Sequence, residues 1–115
     1  MRVLVVDDDQ GIRGVMQKLI RSVGCEAEVC ESGEEALDLM RAKPFDILLT
    51  DFVMPGISGL TLVEEAKRSS PNMRCVIVSG QPRAADTPPS VTWLAKPIDV
   101  DELFDLIDDD DPHDD

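Results

Sequence analysis

Carboxylate side chains directly follow two of the apolar segments of this sequence. Asp7 and Asp8 begin a run of three aspartates after the apolar residues 3–6, and Asp51 follows the apolar residues 47–49 and Thr50. Carboxylate oxygens are ligands that Mg²⁺ and Mn²⁺ prefer, whereas histidine and cysteine, which would suit other metals, do not adjoin these aspartates. The pattern therefore predicts an oxygen-ligand site for Mg²⁺ or Mn²⁺, provided that the ends of these segments meet.

Two further apolar segments end in groups that can hold phosphoryl oxygens. Ser79 follows residues 75–78, and Lys96 follows residues 91–95. A hydroxyl and an ammonium group beside a divalent cation can bind the oxygens of a phosphoryl group. A single aspartate at a strand end more often caps a helix, but complementary groups at four segment ends favour a common site. The set predicts chemistry on phosphate.

The segments that carry these groups alternate with stretches of helical periodicity. The predicted strands are Val3–Val6, Cys25–Cys30, Ile47–Thr50, Arg74–Ser79 and Val91–Ala95. The predicted helices are Gly11–Val23, a stretch from the Ser32 cap to Met40, Leu60–Ser69 with Ser58 as its cap, and a stretch that starts at the Asp99 cap. Alternating strands and helices predict a parallel sheet with helices on both faces. In such sheets, functional groups collect at the carboxyl ends of the strands.

The connection between the fourth and fifth predicted strands lacks the composition of a helix. Residues 81–90 contain Pro82 and the tandem pair Pro88-Pro89, which cannot lie inside a helix. A helical crossover normally needs a dozen or more residues. We therefore expect the fourth helix of the alternating pattern to be missing or reduced to a single turn.

Composition limits the classes of protein to which the chain can belong. With 115 residues, of which 43% are apolar, we expect one folded domain over residues 1–108 and a disordered acidic tail over residues 109–115. The net charge of −13 argues against general binding to nucleic acid or to anionic membranes. No apolar run approaches the ~20 residues of a membrane span, and no secretory signal is visible. An odd number of cysteines then favours reduced thiols and a cytoplasmic location.

These segments resemble the receiver domain of two-component response regulators. The resemblance extends to about Asp108 and rests on residues 5–9, 51–59, 78–80 and 94–97, in this order and at these spacings. It implies a flavodoxin-like, doubly wound α/β fold with a five-stranded parallel sheet in the order 2-1-3-4-5. The reduced fourth helix departs from the family's pattern. Because that helix belongs to the family's usual dimer face, we expect this chain to be a monomer before it meets a partner.

The resemblance implies a role for each carboxylate. Asp51 would be the phospho-acceptor, which takes a phosphoryl group from a phosphohistidine on a sensor histidine kinase or a histidine phosphotransfer protein. Asp7, Asp8 and Asp51 would hold Mg²⁺, for which Mn²⁺ can substitute, together with the backbone carbonyl of Val53. We therefore expect a signalling protein that is phosphorylated in an Mg²⁺-dependent step and then switches its partner binding, rather than an enzyme.

The resemblance also implies roles for the other strand-end residues. Ser79 and Lys96 would bind the phosphoryl oxygens, and the Lys96-Pro97 bond is typically cis in the family. Trp93 occupies the position of the family's switch aromatic, which is usually Tyr or Phe. Because an indole is larger, two interpretations stay open at this stage. Trp93 is either a ring that turns inward on phosphorylation or a fixed, partly exposed side chain that anchors a partner.

Two alternative functions use the same residues differently. A pseudo-receiver would bind partners without being phosphorylated. A metal-dependent phosphatase of the haloacid-dehalogenase-like class also uses an aspartate nucleophile, but it needs a second acid two residues later, where this chain has Val53. A small-molecule phosphodonor with Mg²⁺ separates the possibilities, since only a receiver retains a phosphoryl group on Asp51.

Overall fold

Five strands and four helices alternate along the chain, in a computed structural model that describes residues 1–108. The predicted acidic tail, residues 109–115, lies outside the described residues. The elements are β1 (Arg2–Val6), α1 (Gln10–Ser22), β2 (Glu26–Cys30), α2 (Gly33–Ala42), β3 (Ile47–Asp51), α3 (Gly59–Ser69), β4 (Arg74–Ser79), β5 (Thr92–Ala95) and α4 (Val100–Asp108). All strand pairs are parallel, and the order is β2-β1-β3-β4-β5. The predicted fold class is therefore confirmed.

The sheet separates two hydrophobic layers. Because side chains alternate along a strand, Leu4 and Leu48 pack with α2 and α3, whereas Val3 and Leu49 pack with α1 and α4. These strand residues are almost wholly buried, as is typical of parallel strands that are covered on both faces. Two layers of this kind hold the central strands firmly, and with them the side chains at the strand ends.

Each helix begins at the cap residue that the sequence predicts. A side-chain oxygen of the cap accepts a backbone N–H from the first turn in all four cases, at Asp9, Ser32, Ser58 and Asp99. Such caps contribute roughly 1 kcal/mol each. The Asp9 cap starts α1 three residues after β1 ends, which confines Asp7 and Asp8 to a short turn at the sheet edge.

The connection between β4 and β5, residues 80–91, contains no helix, as predicted. We call it the β4–β5 connection. Two backbone hydrogen bonds close tight turns within it. The guanidinium of Arg83 donates to the carbonyls of Val91 and Pro88, at 2.8 Å each. The segment is therefore held by hydrogen bonds to its own backbone rather than by an apolar helix face.

The buried cysteines do not contribute a reactive thiol. Cys30 and Cys75 are free and lie in the layer that faces α2 and α3. Burial raises the pKa of each thiol to about 11, with the charge of Glu35 adding to the shift at Cys30. Both thiols stay protonated near neutral pH and act as small apolar side chains.

Across residues 1–108, no helix is long and apolar enough to span a bilayer.

Candidate functional site

The structure brings three of the predicted aspartates together at the carboxyl edge of the sheet. β1 and β3 are neighbours, and Val6 lies opposite Thr50. Asp7 and Asp51, the residues that follow these two, therefore lie side by side. Ligand oxygens of Asp7, Asp8 and Asp51 all lie within 4.8 Å of one another. Spacing of this order lets a single cation contact all three carboxylates.

Burial makes this cluster of negative charge unfavourable without a cation. The side chain of Asp7 is 5% exposed and that of Asp51 is 14% exposed. Burial, followed by the charge of Asp7, raises the pKa of Asp51 above its usual value, although Lys96 acts in the opposite direction. A set of only oxygen donors with excess negative charge fits Mg²⁺ or Mn²⁺.

Lys96 is the cation that the structure places against these carboxylates. Its Nζ lies 3.3 Å from Asp7 Oδ2 and 3.3 Å from Asp51 Oδ1. Burial alone would lower the pKa of Lys96, but the attraction of the two aspartates outweighs it and the pKa is raised. Lys96 is therefore an ammonium group at neutral pH. The peptide bond between Lys96 and Pro97 is cis.

Ser79 stands between the strand of Asp51 and the strand that leads to Lys96. It ends β4, where Val78 is opposite Asp51 and Ser79 is opposite Ala95. The residue is 4% exposed, and its carbonyl accepts the N–H of Lys96 at 2.9 Å. Its hydroxyl therefore lies at the same edge of the sheet as the carboxylates and the ammonium group.

The loop after Asp51 contains a close contact that sequence reasoning missed. The N–H of Phe52 donates to Asp51 Oδ1 at 2.8 Å, and the N–H of Gly59 donates to the Phe52 carbonyl at 2.9 Å. A Cβ atom at Gly59 would lie 2.0 Å from the carbonyl oxygen of Asp51. Only glycine fits there. The one sequence feature that could have indicated this contact is the position of Gly59 directly after the Ser58 helix cap.

The same loop is anchored from α2 by a residue that was predicted only as part of a helix start. Glu34 Oε2 accepts the N–H of Ile57 at 3.2 Å. The adjacent Gly56 has a φ of +82°, and a Cβ atom there would lie 2.6 Å from the Glu34 carboxylate. Glu34 therefore helps to fix the path of residues 52–58, which include Val53. The Val53 side chain is 63% exposed.

Replacing Glu34 with alanine is expected to loosen this loop. The exchange rate of the Ile57 amide should rise by about fivefold, since one hydrogen bond contributes roughly 1 kcal/mol. Amide exchange followed by NMR measures the change. Glu35→Ala is a matched control in the same helical turn, because Glu35 instead accepts the N–H of Glu31. Equal exchange at Ile57 in both variants would show that Glu34 does not hold the loop.

Trp93 lies beside this loop, at the part of the sheet that no helix covers. Its ring is half-buried and packs on Phe52, with ring centroids 5.0 Å apart and planes inclined at 58°. Its Nε1 donates to the carbonyl of Gln81 at 2.9 Å. The ring thus connects the loop after Asp51 to the β4–β5 connection.

Comparison with known proteins shows where the chain belongs. Its residues 3–108 match the family model of the response regulator receiver domain. The chain is 34% identical over 112 residues to the DNA-binding transcriptional regulator NtrC of Klebsiella pneumoniae, in an alignment that covers 90% of this chain and 23% of NtrC. The chain thus spans about a quarter of the length of that relative.

Two solved structures resemble the fold over nearly its whole length. The receiver domain from the hybrid histidine kinase CckA is 32% identical, has a TM-score of 0.83, and is matched over 96% of this chain and 98% of that one. The response regulator TrrA of Thermotoga maritima, solved in complex with Mg²⁺ and BeF, is 28% identical. It has a TM-score of 0.88 and is matched over 95% of this chain and 97% of that one. The chain belongs to the response regulator receiver domain family.

Proposed function

We propose that this chain takes a phosphoryl group from a phosphohistidine onto Asp51 in an Mg²⁺-dependent step. Phosphorylation of Asp51 then changes the affinity of the chain for a partner. The convergence of Asp7, Asp8 and Asp51 within 4.8 Å, with the Lys96 ammonium 3.3 Å from two of them, carries this proposal. Phosphoryl transfer needs mainly positioning and charge neutralisation, and these residues supply both.

The residues that would hold the metal ion are Asp7, Asp8, Asp51 and the backbone carbonyl of Val53. All four donors are oxygens, which suits Mg²⁺ and its substitute Mn²⁺. When bound, the cation would neutralise charge on the carboxylates and on the incoming phosphoryl oxygens. In its absence, Lys96 is the cation that partly offsets the repulsion between Asp7 and Asp51.

The transfer itself exchanges one bond to phosphorus for another. A carboxylate oxygen of Asp51 forms a bond to phosphorus while the bond from phosphorus to the imidazole nitrogen breaks, and the nitrogen keeps the electron pair. Lys96 binds a phosphoryl oxygen after the transfer, because that group then carries the charge that the Asp51 carboxylate carried before. Ser79 donates its hydroxyl hydrogen to another phosphoryl oxygen.

The surface beside Lys96 offers a place for the phosphodonor protein to bind. A cleft of about 520 Å³ lies between α1 and the segment after β5, and its lining is mainly apolar. Val15 and Val100 line it and are 59% and 40% exposed. Exposed apolar surface of this kind is typical of a protein interaction site. It supports a sensor histidine kinase or a histidine phosphotransfer protein as the partner.

Incubation with acetyl phosphate and Mg²⁺ tests the proposal. Intact-mass spectrometry should show the mass of one added phosphoryl group on the unmodified chain, and no gain for Asp51→Asn or in the presence of a chelator. Asp46→Asn is a matched control, since Asp46 directly precedes β3 at the opposite end from Asp51 and is exposed. It should gain the phosphoryl group as the parent does.

The same measurement separates the alternatives. A parent chain that gains no phosphoryl group under these conditions would contradict the proposal and favour the phosphorylation-independent pseudo-receiver. An equal gain in Asp51→Asn would contradict the assignment of Asp51. The valine at position 53, two residues after Asp51, leaves the phosphatase alternative without the second acid that it requires.

Val53→Asn is expected to shorten the life of the phosphorylated state. The exposed valine side chain cannot hydrogen-bond a water molecule that approaches the phosphoryl group, whereas an asparagine side chain can orient it. One such hydrogen bond is worth about 1 kcal/mol, which corresponds to a roughly fivefold faster loss. Decay is followed by mass after the phosphodonor has been removed, with Val53→Leu as the control that keeps the position apolar. Unchanged or slower decay in Val53→Asn would contradict the role given to Val53.

A further inference from the structure

A chain of two hydrogen bonds joins Trp93 to Ser79 through the backbone of one residue. The indole Nε1 of Trp93 donates to the carbonyl of Gln81 at 2.9 Å. The N–H of Gln81 donates to Ser79 Oγ at 3.0 Å. Gln81 thus uses both of its backbone polar groups to connect the aromatic ring to the hydroxyl at the acceptor site.

This arrangement fixes the hydroxyl of Ser79 in a particular role. A serine hydroxyl has one hydrogen to donate and can also accept. Among the hydrogen bonds within residues 1–108, the Ser79 hydroxyl accepts from Gln81 and donates to no protein group. Its own hydrogen therefore remains available for a phosphoryl oxygen on Asp51, while its oxygen is already held in place.

Two further contacts hold the Trp93 side chain and Gln81 in place. The ring packs on Phe52, the residue next to Asp51, with ring centroids 5.0 Å apart. The β4–β5 connection, in which Gln81 lies, is braced by the two hydrogen bonds from Arg83. A turn of the indole out of this position would disrupt the contact with Phe52 and the bond to Gln81.

We propose that Trp93 is a fixed positioning residue, which holds the Ser79 hydroxyl through the backbone of Gln81, rather than a ring that turns on phosphorylation. The inference rests on the proposed function, because it assigns Ser79 to the phosphoryl group. It favours a fixed ring over a ring that turns, and it gives the fixed ring a role in positioning Ser79. Such preorganisation speeds a reaction by placing a donor before charge develops.

A double-mutant cycle tests the connection. Trp93→Phe keeps an aromatic ring but removes the N–H, so phosphorylation by acetyl phosphate should slow by about fivefold. Affinity for Mg²⁺, measured by calorimetry, should stay within about twofold, because the carboxylates are untouched. In a Ser79→Ala background, Trp93→Phe should have no further effect on the rate. In a Ser79→Thr background, which retains the hydroxyl, the effect should return.

The indole signal gives a second measurement that does not depend on a variant. The chain has one tryptophan, so its NMR spectrum contains a single indole N–H signal. Mg²⁺ with beryllofluoride serves as a stable substitute for the phosphoryl group, and the chemical shift and exchange rate of the indole hydrogen should stay unchanged when they are added. A large change in either would show that the ring moves, and additive rates in the double-mutant cycle would show that Trp93 does not act through Ser79. Either result overturns the proposal.

A third arm separates this inference from the proposed function. In the unphosphorylated protein, Ser79→Ala should shift the indole signal, because Gln81 loses one of its two partners, whereas Ser79→Thr should leave the signal in place. An unmoved signal in Ser79→Ala overturns the hydrogen-bond chain even if Asp51 is phosphorylated. If the parent chain fails to gain a phosphoryl group, the indole signals of the Ser79 variants can still be compared. That failure would count against the proposed function instead.

Discussion

Replacing Gly59 with alanine is expected to destabilise the domain by roughly 3 kcal/mol, the upper part of the range for overpacking in a rigid environment. The added Cβ atom would lie 2.0 Å from the carbonyl oxygen of Asp51 and 3.0 Å from the Cα atom of Phe52. Both neighbours are backbone atoms, which cannot rotate away as a flexible side chain can. Either α3 or the end of β3 must therefore shift, and a shift of β3 carries the Asp51 carboxylate with it.

Urea unfolding and Mg²⁺ titration together measure the effect of Gly59→Ala. Loss of stability should be accompanied by weaker Mg²⁺ binding, because the carboxylates no longer converge. Gly14→Ala is a matched control within α1, where a Cβ atom meets nothing within 4 Å. That change should instead stabilise the protein by about 0.5–1 kcal/mol, the usual difference between alanine and glycine in a helix. If Gly59→Ala has the same free energy of unfolding as the parent, the backbone around Asp51 can shift without loss of stability, and the prediction is wrong.

Asp51→Asn is expected to make the metal-free protein more stable at neutral pH. The ionised form of Asp51 is disfavoured first by burial and then by Asp7, so its pKa lies above the usual value. Asparagine resembles the protonated carboxyl group and can still accept the N–H of Phe52. We expect a gain on the order of 1 kcal/mol at pH 7, the common scale for one substitution. Unfolding in urea with a chelator present measures it.

The pH dependence gives this prediction a definite sign. A raised carboxyl pKa means that the folded state binds the proton more tightly than the unfolded chain does. The stability from Asp51 is thus fully present below the ordinary pKa, and it is lost as the pH rises through the raised one. The advantage of Asp51→Asn should therefore be largest near neutral pH and should shrink as the pH is lowered to about 4. An advantage that does not vary with pH would contradict this explanation.

Addition of Mg²⁺ should reduce the stability advantage of Asp51→Asn. A ligand at ten times its Kd stabilises the folded state by about 1.4 kcal/mol. The parent chain should gain this amount, whereas Asp51→Asn loses a charged donor and should gain less. Asp46→Asn, remote from the site, should respond to Mg²⁺ as the parent does. An equal Mg²⁺ response in Asp51→Asn and in the parent would remove Asp51 from the set of metal ligands.

The parallel sheet and the position of the site could be predicted from the sequence, because both depend on repeating patterns. Continuous apolar runs indicated buried parallel strands, and the resemblance supplied their order. Since parallel strands end at one edge, the polar residues after them had to lie near one another. The convergence of Asp7, Asp8 and Asp51 needed no knowledge of side-chain packing.

The contacts of the loop after Asp51 could not be predicted in the same way. Glu34 and Ile57 are 23 residues apart, and their hydrogen bond depends on how α2 sits against this loop. The role of Gly59 likewise depends on how closely α3 approaches β3. No periodic pattern reports such distances, which are set by tertiary packing.

The absence of a helix in the β4–β5 connection was predicted correctly, but the contacts that hold this connection were not predicted. The tandem prolines exclude a helix interior, so the absence of a helix follows from the sequence. The structure shows that Arg83 holds two carbonyls of the connection and that Thr87 is buried. An arginine in a polar segment gives no signal of which backbone groups it will meet.

The two outer strands limit extension of the sheet from one molecule to the next. An edge strand exposes unpaired backbone groups, which can pair with another copy and so begin aggregation, but charge and short length oppose this. β2 carries Glu26 in an exposed position and Glu28 in a half-buried one, while β5 has only four residues. Copies that approach edge to edge also carry a net charge of −13 each. The sheet can therefore do without a helix between β4 and β5 and still resist growth into larger β-assemblies.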